Sequence, residues 1–193
     1  MFQLQHLAMV QEFIFGYGSL VNRATHDYGD MQPAVLTGWR RVWQHTSLRQ
    51  LAYLSVEPDA GTRISGVVMA VPVADSALER REASYGRTDV STLVEHNFPA
   101  PVAINTFTIP ARIHAAPRPG ATLLLSYIDV VVQGYFQVFG EAGVQDFFAT
   151  TRGWGAQVLD DRAKPQYPRH QRLSKLETAL VDHWLAVLAP QME

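Results

Sequence analysis

An apolar run that ends in two closely spaced glycines leaves a backbone few choices, and Phe13-Ile14-Phe15-Gly16-Tyr17-Gly18-Ser19-Leu20 is such a run. Three large apolar residues bounded by glycine predict a short buried strand. Gly16 and Gly18 lack the Cβ atoms that keep other groups away from a backbone. A turn of this kind can aim successive N–H groups into one concavity, an anion-binding nest that fits a small carboxylate. Read without a ligand, the same residues are a strand closing in a tight turn. Two better-known motifs are excluded by spacing. A dinucleotide fingerprint needs a third glycine at position 21 and an acid about twenty positions on, where the chain has Val21, Gly38 and Trp39. A nucleophile elbow needs Gly-x-Ser-x-Gly, but Gly18 directly precedes Ser19, and Leu20 and Val21 follow it.

Downstream, residues 21–31 are polar and mixed and read as a loop. Residues 33–36 are extended, Gly38 breaks them, and residues 39–43 resume. Residues 51–56 and 64–73 are stronger strands, separated by the turn chemistry of Glu57-Pro58-Asp59-Ala60-Gly61. Ser76 with Glu79 three residues on predicts a capping box and a short helix over 77–83, with Glu82 on its second turn. Residues 87–94 and 102–113 return to extended structure, and Pro99, Pro101 and Pro110 confine parts of them to strand edges or ends. Residues 115–120 form a Pro/Gly linker.

The last third reads as helical. Leu124, Ile128, Val131, Val132, Tyr135 and Phe139 recur at three and four, one face of an amphipathic helix. Gly140 and Gly143 interrupt it before a second short helix carrying Val144, Phe147 and Phe148. A third helix over 173–189 is capped by Ser174 and Glu177, with Leu176, Leu180, Trp184 and Leu188 as its buried stripe. Residues 150–170 are irregular and lie across the surface. The fold class is α+β, a small curled mixed sheet or β-barrel with a helical C-terminal third from about residue 121, in a single domain spanning 1–193.

Of the 193 residues 47% are hydrophobic and 18% charged, the composition of a compact globular protein. A net charge of −2 gives no broad field for nucleic acid or an anionic membrane, so the expected partner is a small molecule. The absence of cysteine excludes disulfides, thiolate metal sites and a cysteine nucleophile. Residues 1–12 lack the pattern of a secretory leader, and no apolar stretch is long enough to span a bilayer. The expectation is a soluble, cytoplasmic protein; composition leaves the oligomeric state open.

The seven histidines, His6, His26, His45, His96, His114, His170 and His183, show no i, i+4 pairing with one another or with Glu, so no metal is expected. Ser19 has no motif that marks it as a nucleophile. Glu82 remains. Flanked by Arg80 and Arg81 it has the features of a solvated surface acid, but Ala83, Ser84 and Tyr85 beside it leave room for a ligand and offer a hydroxyl.

Read together, Gly16-Tyr17-Gly18-Ser19-Leu20 and Leu78-Glu79-Arg80-Arg81-Glu82 resemble the γ-glutamylcyclotransferase-like superfamily in order and separation. Gly38-Trp39-Arg40, Ile64-Ser65-Gly66-Val67-Val68 and the passage from Glu82 through Tyr85 to Arg87-Thr88-Asp89-Val90 extend the resemblance over roughly residues 13–140. It implies a cyclisation of a γ-glutamyl amide or peptide to 5-oxoproline, with Glu82 as general acid and base. Tyr17, Gly18, Ser19, Leu20 and Tyr85 would contact the substrate, and no cofactor is required. Glu79 stands where the family more often has Asp, and the Glu82 to Tyr85 spacing is shorter than in its glutathione-directed branch. Residues 153–169 match nothing in the family that binds substrate. The alternatives are a non-catalytic small-molecule-binding module on the same fold and, further off, an amide hydrolase using Ser19. Which γ-glutamyl compound is used is expected to depend on loops such as 21–33 and 150–169.

Overall fold

The computed structural model describes residues 11–116 and 121–188. The expectations for residues 1–10, His6 included, for the linker at 117–120 and for a helix end at Ala189 lie outside the described residues. In chain order the strands are β1 (Gln11–Gly16), β2 (Gly29–Gln44), β3 (Tyr53–Pro72), β4 (Gly86–Asp89), β5 (Val94–Glu95), β6 (Ile104–Thr108), β7 (Thr122–Leu124), β8 (Thr151–Arg152) and β9 (Gln157–Leu159). The helices are α1 (Ser76–Arg81), α2 (Leu125–Ala149) and α3 (Lys175–Leu188).

The Phe-Ile-Phe run takes an interior place in a seven-stranded mixed sheet of order β4-β6-β1-β3-β2-β5, with β8 also paired to β2. Phe15 lies opposite Val68 of antiparallel β3 and Thr106 of parallel β6. Over Phe13 to Phe15 the strand has partners on both edges, which satisfies its backbone there; its burial deepens toward the turn, where Ile14, Phe15 and Gly16 are buried. Ile14, Val67, Val68 and Met69 share one core with Ile128, Val131, Val132 and Tyr135 of α2. Burying each such side chain contributes about 1.5–3 kcal/mol. The fold is α+β: a curled mixed sheet with helices concentrated in the C-terminal third.

Several local expectations are corrected. The loop over 21–31 follows one 3-10 turn, Ser19–Val21, and contains another, Arg23–Thr25, and β2 already begins at Gly29. Gly38 does not break β2: it takes φ +79° at a register shift against β3 and the strand continues. Likewise Pro58 to Gly61 bends β3 rather than ending it, and Asp59 accepts a hydrogen bond from the Gly61 N–H at 3.2 Å inside one twenty-residue strand. The expected extended runs 87–94 and 102–113 hold short strands with gaps between them, and 111–113 is a 3-10 turn.

The cap of α1 is Asp75, not Ser76: its carboxylate accepts from the Ala77 and Leu78 N–H groups at 2.7 Å each. Glu79 turns outward to pair with Arg87 at 2.6 Å. Glu82 is the C-cap residue of that helix rather than part of its second turn.

In α2, Gly140 at φ 68° breaks the helical geometry and joins two helices end to end, as expected from its sequence, whereas Gly143, also expected to interrupt, is helical. The capping box of α3 forms in both directions, Ser174 N–H to Glu177 at 2.7 Å and Glu177 N–H to Ser174 Oγ at 3.2 Å. That box draws Glu177 inward, where Gln133 also bonds it. The buried face of α3 is therefore rotated toward Glu177 and Val181, and Leu176 is 60% exposed.

Candidate active site

β1 delivers its terminal turn to the mouth of a cavity of about 530 Å³, within the ordinary range for small-molecule sites. All six residues singled out from the sequence, Tyr17, Gly18, Ser19, Leu20, Glu82 and Tyr85, line it. The rest of the wall includes residues of β3 and α1, the loop that carries Arg49, the start of α2 and residues 166–169.

The turn is held from below. Arg41, on β2 and fully buried, donates from Nε to the Tyr17 carbonyl at 3.3 Å and from its terminal nitrogens to Thr150 Oγ1, to the Ser65 carbonyl and to the Tyr135 hydroxyl at 2.6 Å. Tyr135 Oη also lies 2.9 Å from the carbonyl oxygens of Tyr17 and Ser65. Burial raises the Tyr135 hydroxyl to about 12, with the Arg41 charge opposing it, so the phenol stays neutral. At Gly18 space decides the residue: a Cβ there would lie 2.6 Å from Tyr127 Oη. The Ser19 N–H faces that same hydroxyl, whose ionisation burial drives far upward.

Glu82 and the turn are joined through one guanidinium. Arg81 Nη2 donates to Ser19 Oγ at 2.9 Å, while Arg81 Nε lies 3.3 Å from Glu82 Oε1. Other Arg81 contacts reach the Thr25 carbonyl and hydroxyl at 3.2 Å. The Glu82 side chain is only 12% exposed. Burial raises its pKa above the usual carboxylate value, and the charges of Arg81 and then Arg169 oppose the shift. A carboxyl with that balance exchanges a proton more readily near neutrality than a solvated one.

Two of the tyrosines on the wall, Tyr17 and Tyr85, behave differently from free donors. Tyr17 Oη donates to the Phe107 carbonyl at 2.6 Å and Tyr85 Oη to the Leu54 carbonyl at 2.9 Å. Burial, first of all, pushes both phenols well above their usual range. Their rings and fixed dipoles shape the cavity, and the Tyr85 hydroxyl that the sequence offers to a ligand is already engaged by β3.

Ser19 has the surroundings of an acceptor. Its Oγ receives hydrogen bonds from Arg81 and, at 2.8 Å, from the Tyr167 hydroxyl. The nearby His26 places Nε2 2.8 Å from the Leu20 carbonyl. A serine nucleophile needs a base to accept its proton; an arginine and a phenol in donor geometry supply none.

Sequence reasoning missed Arg81, Tyr127, Tyr167 and Arg169 as cavity residues. The segment containing the last two was expected to lie across the surface. Most of it is exposed or half-buried, but Asp161, itself buried, ties it down: the carboxylate accepts from the Ser126 N–H at 2.8 Å, from Ser126 Oγ at 2.6 Å and from the Gln166 N–H at 2.8 Å. Tyr167 N–H then bonds back to Ser126 Oγ at 3.2 Å. Periodicity carries no trace of such a clasp. The one available signal was chemical, an Asp and a Tyr-Pro-Arg triplet in a segment with no helix or strand to build. Among the described residues no group of three or more His, Asp or Glu side chains could hold a metal ion, and no helix is long and apolar enough to cross a membrane.

A family model described as ChaC-like protein matches residues 12–109. That span takes in the turn, α1 and Glu82, and stops before α2 and the 161–169 segment. Among solved structures, one named gamma-glutamyl cyclotransferase superposes with a TM-score of 0.55 at 12% identity, over 90% of this chain and 99% of its own. An uncharacterized protein from Homo sapiens gives 0.54 at 13%, over 89% and 98%. YkqA from Bacillus subtilis gives 0.53 at 21%, over 74% of this chain and 56% of its own length. At these identities the likeness is one of fold. No curated protein matches the sequence.

Proposed function

The chain belongs to the ChaC-like protein family, and from that premise we propose that it is a γ-glutamylcyclotransferase that closes the γ-glutamyl group of a small amide or peptide into 5-oxoproline and releases the amine. The observation that carries this reading is the Arg81 bridge, which sets a buried, sparsely solvated Glu82 carboxylate beside the Gly18-Ser19-Leu20 turn in one cavity.

The reaction needs no second substrate. The α-amino nitrogen attacks the γ-carbonyl carbon of its own molecule, a geometry that already supplies proximity. What it lacks is a free amine and a protonated leaving group. Glu82, ionised, takes a proton from the α-ammonium; the new C–N bond forms as the carbonyl oxygen gains negative charge. Collapse expels the amide nitrogen, which receives the proton from Glu82. The second proton lost by the ammonium leaves with the amine or to solvent. Proton handling by one positioned carboxylate contributes about 10²- to 10⁴-fold. N–H groups of the turn hold the α-carboxylate or the developing oxyanion, while Tyr17 and Tyr85 shape the wall around the glutamyl chain. No step calls for a metal or an organic cofactor.

The test is 5-oxoproline release from glutathione, γ-glutamyl amino acids and γ-glutamylamines by the full chain. Release from any of them is the expected result, and the preferred compound names the substrate. Tight binding of these compounds with no release from any would overturn the enzyme reading in favour of a binding module.

A further inference from the structure

Four arginines, Arg49, Arg80, Arg81 and Arg169, line the cavity against the single carboxylate of Glu82. A γ-glutamyl end carries one ammonium and one carboxylate and is neutral as a whole, so it leaves this positive excess uncompensated. The arginines are not equivalent. Arg81 is committed to Ser19, Thr25 and Glu82, and Arg49 lies 4.0 Å over the Tyr53 ring, where the aromatic face receives its charge. Among the described residues no carboxylate is paired with Arg169, although its charge reaches Glu82. Arg169 is also half-buried, whereas Arg80 is exposed.

The placement of Arg169 is built. Asp161 and Ser126 anchor Gln166 and Tyr167 to the start of α2, and the Tyr167 hydroxyl reaches Ser19 Oγ at 2.8 Å. Tyr167 also packs edge-on against Tyr127, with ring centroids 5.0 Å apart. Pro168 restricts the chain between these two side chains. A segment fixed at so many points presents Arg169 to the cavity at little entropic cost on binding.

We propose that the clasped segment 161–169, which lies outside the ChaC-matched residues, is a specificity element, and that Arg169 pairs with a carboxylate on the leaving-amine side of the substrate. This rests on the γ-glutamyl reading of the site. A planar guanidinium meets a carboxylate through two parallel hydrogen bonds, which gives direction as well as charge. The preferred ligands are then γ-glutamyl conjugates whose amine portion is itself an acid, and γ-glutamyl derivatives of simple alkylamines are poor ones.

Two ligands that differ by one carboxylate, γ-glutamylglycine and γ-glutamylmethylamine, test this by calorimetry on the full chain carrying Glu82→Gln, so that binding is read without turnover. The first is expected to bind about tenfold more tightly. Adding Arg169→Gln removes the difference, and Arg169→Lys restores part of it, while far-ultraviolet circular dichroism stays that of the parent. Equal affinity for the two ligands, no binding of γ-glutamylglycine, or a preference that survives Arg169→Gln overturns the proposal. The two readings fail separately. A charge-dependent preference without any 5-oxoproline from the parent sinks the enzyme reading alone; 5-oxoproline formed from both ligands with equal kcat/KM sinks the Arg169 assignment alone.

Discussion

Two guanidinium groups flank the Gly18 turn and differ in what is left for them to do. Arg41, beneath it, is fully buried and spends its donors on Tyr17, Ser65, Tyr135 and Thr150, with Asp146 at 3.8 Å as its nearest countercharge. Arg169, in the cavity, is half-buried with no carboxylate paired to it among the described residues. A charge whose hydrogen bonds are all made by protein fixes shape, because any movement breaks several at once. A charge with spare donors can meet a ligand without breaking contacts the fold depends on. Glu82 stands on the second side of this division, with its main contact an arginine 3.3 Å away and its pKa raised by burial.

The sharpest way to break that comparison is from below. Arg41→Ala removes the donor to the Tyr17 and Ser65 carbonyls and to Thr150, leaving the one Tyr135 hydroxyl to serve both carbonyls, and each buried polar group left unpaired costs about 1–3 kcal/mol. Urea denaturation should show that cost together with collapse of 5-oxoproline release; an unchanged midpoint would show that the node is not what holds the turn.

Less damage is expected at Gly18. A methyl group there meets Tyr127 Oη at 2.6 Å, an overpacking worth about 1–3 kcal/mol. Gly18→Ala should be partly rescued by Tyr127→Phe, which removes the contacting oxygen. Equal stabilities of single and double variants would contradict the assigned contact.

The smallest effect concerns stability against pH. Because burial raises the folded-state pKa of Glu82, its protonated form is favoured by folding. The stability it contributes is fully present below the unfolded carboxylate pKa and is lost as pH rises through the raised folded value. Glu82→Gln should therefore match the parent in acid and become progressively the more stable of the two toward neutral pH. The opposite slope would mean that the Arg81 and Arg169 charges outweigh burial.

These contrasts also show what sequence could reveal. The turn was legible because Gly16 and Gly18 follow a strongly apolar strand, and Glu82 became legible only when paired in order with that turn. Asp75 was passed over because Ser76 offers equally good cap chemistry one residue away. Gly38 and the Pro58 to Gly61 stretch announce a backbone irregularity, but the same residues serve a bulge and a chain reversal, and only the register against the neighbouring strand separates them. The 161–169 segment was illegible for a different reason. Its geometry depends on Asp161 meeting Ser126 and on Tyr167 meeting Ser19, contacts across 35 and 148 residues that no local pattern records.

The most direct measurement is single-turnover formation of 5-oxoproline from γ-glutamylglycine by the parent and Glu82→Gln, with ligand affinity determined on the same samples. The account predicts that the variant binds within a few-fold of the parent while the chemical step slows by about 10²- to 10⁴-fold. Product formed at the parental rate by Glu82→Gln would contradict it, and the proton would have to be carried by another group.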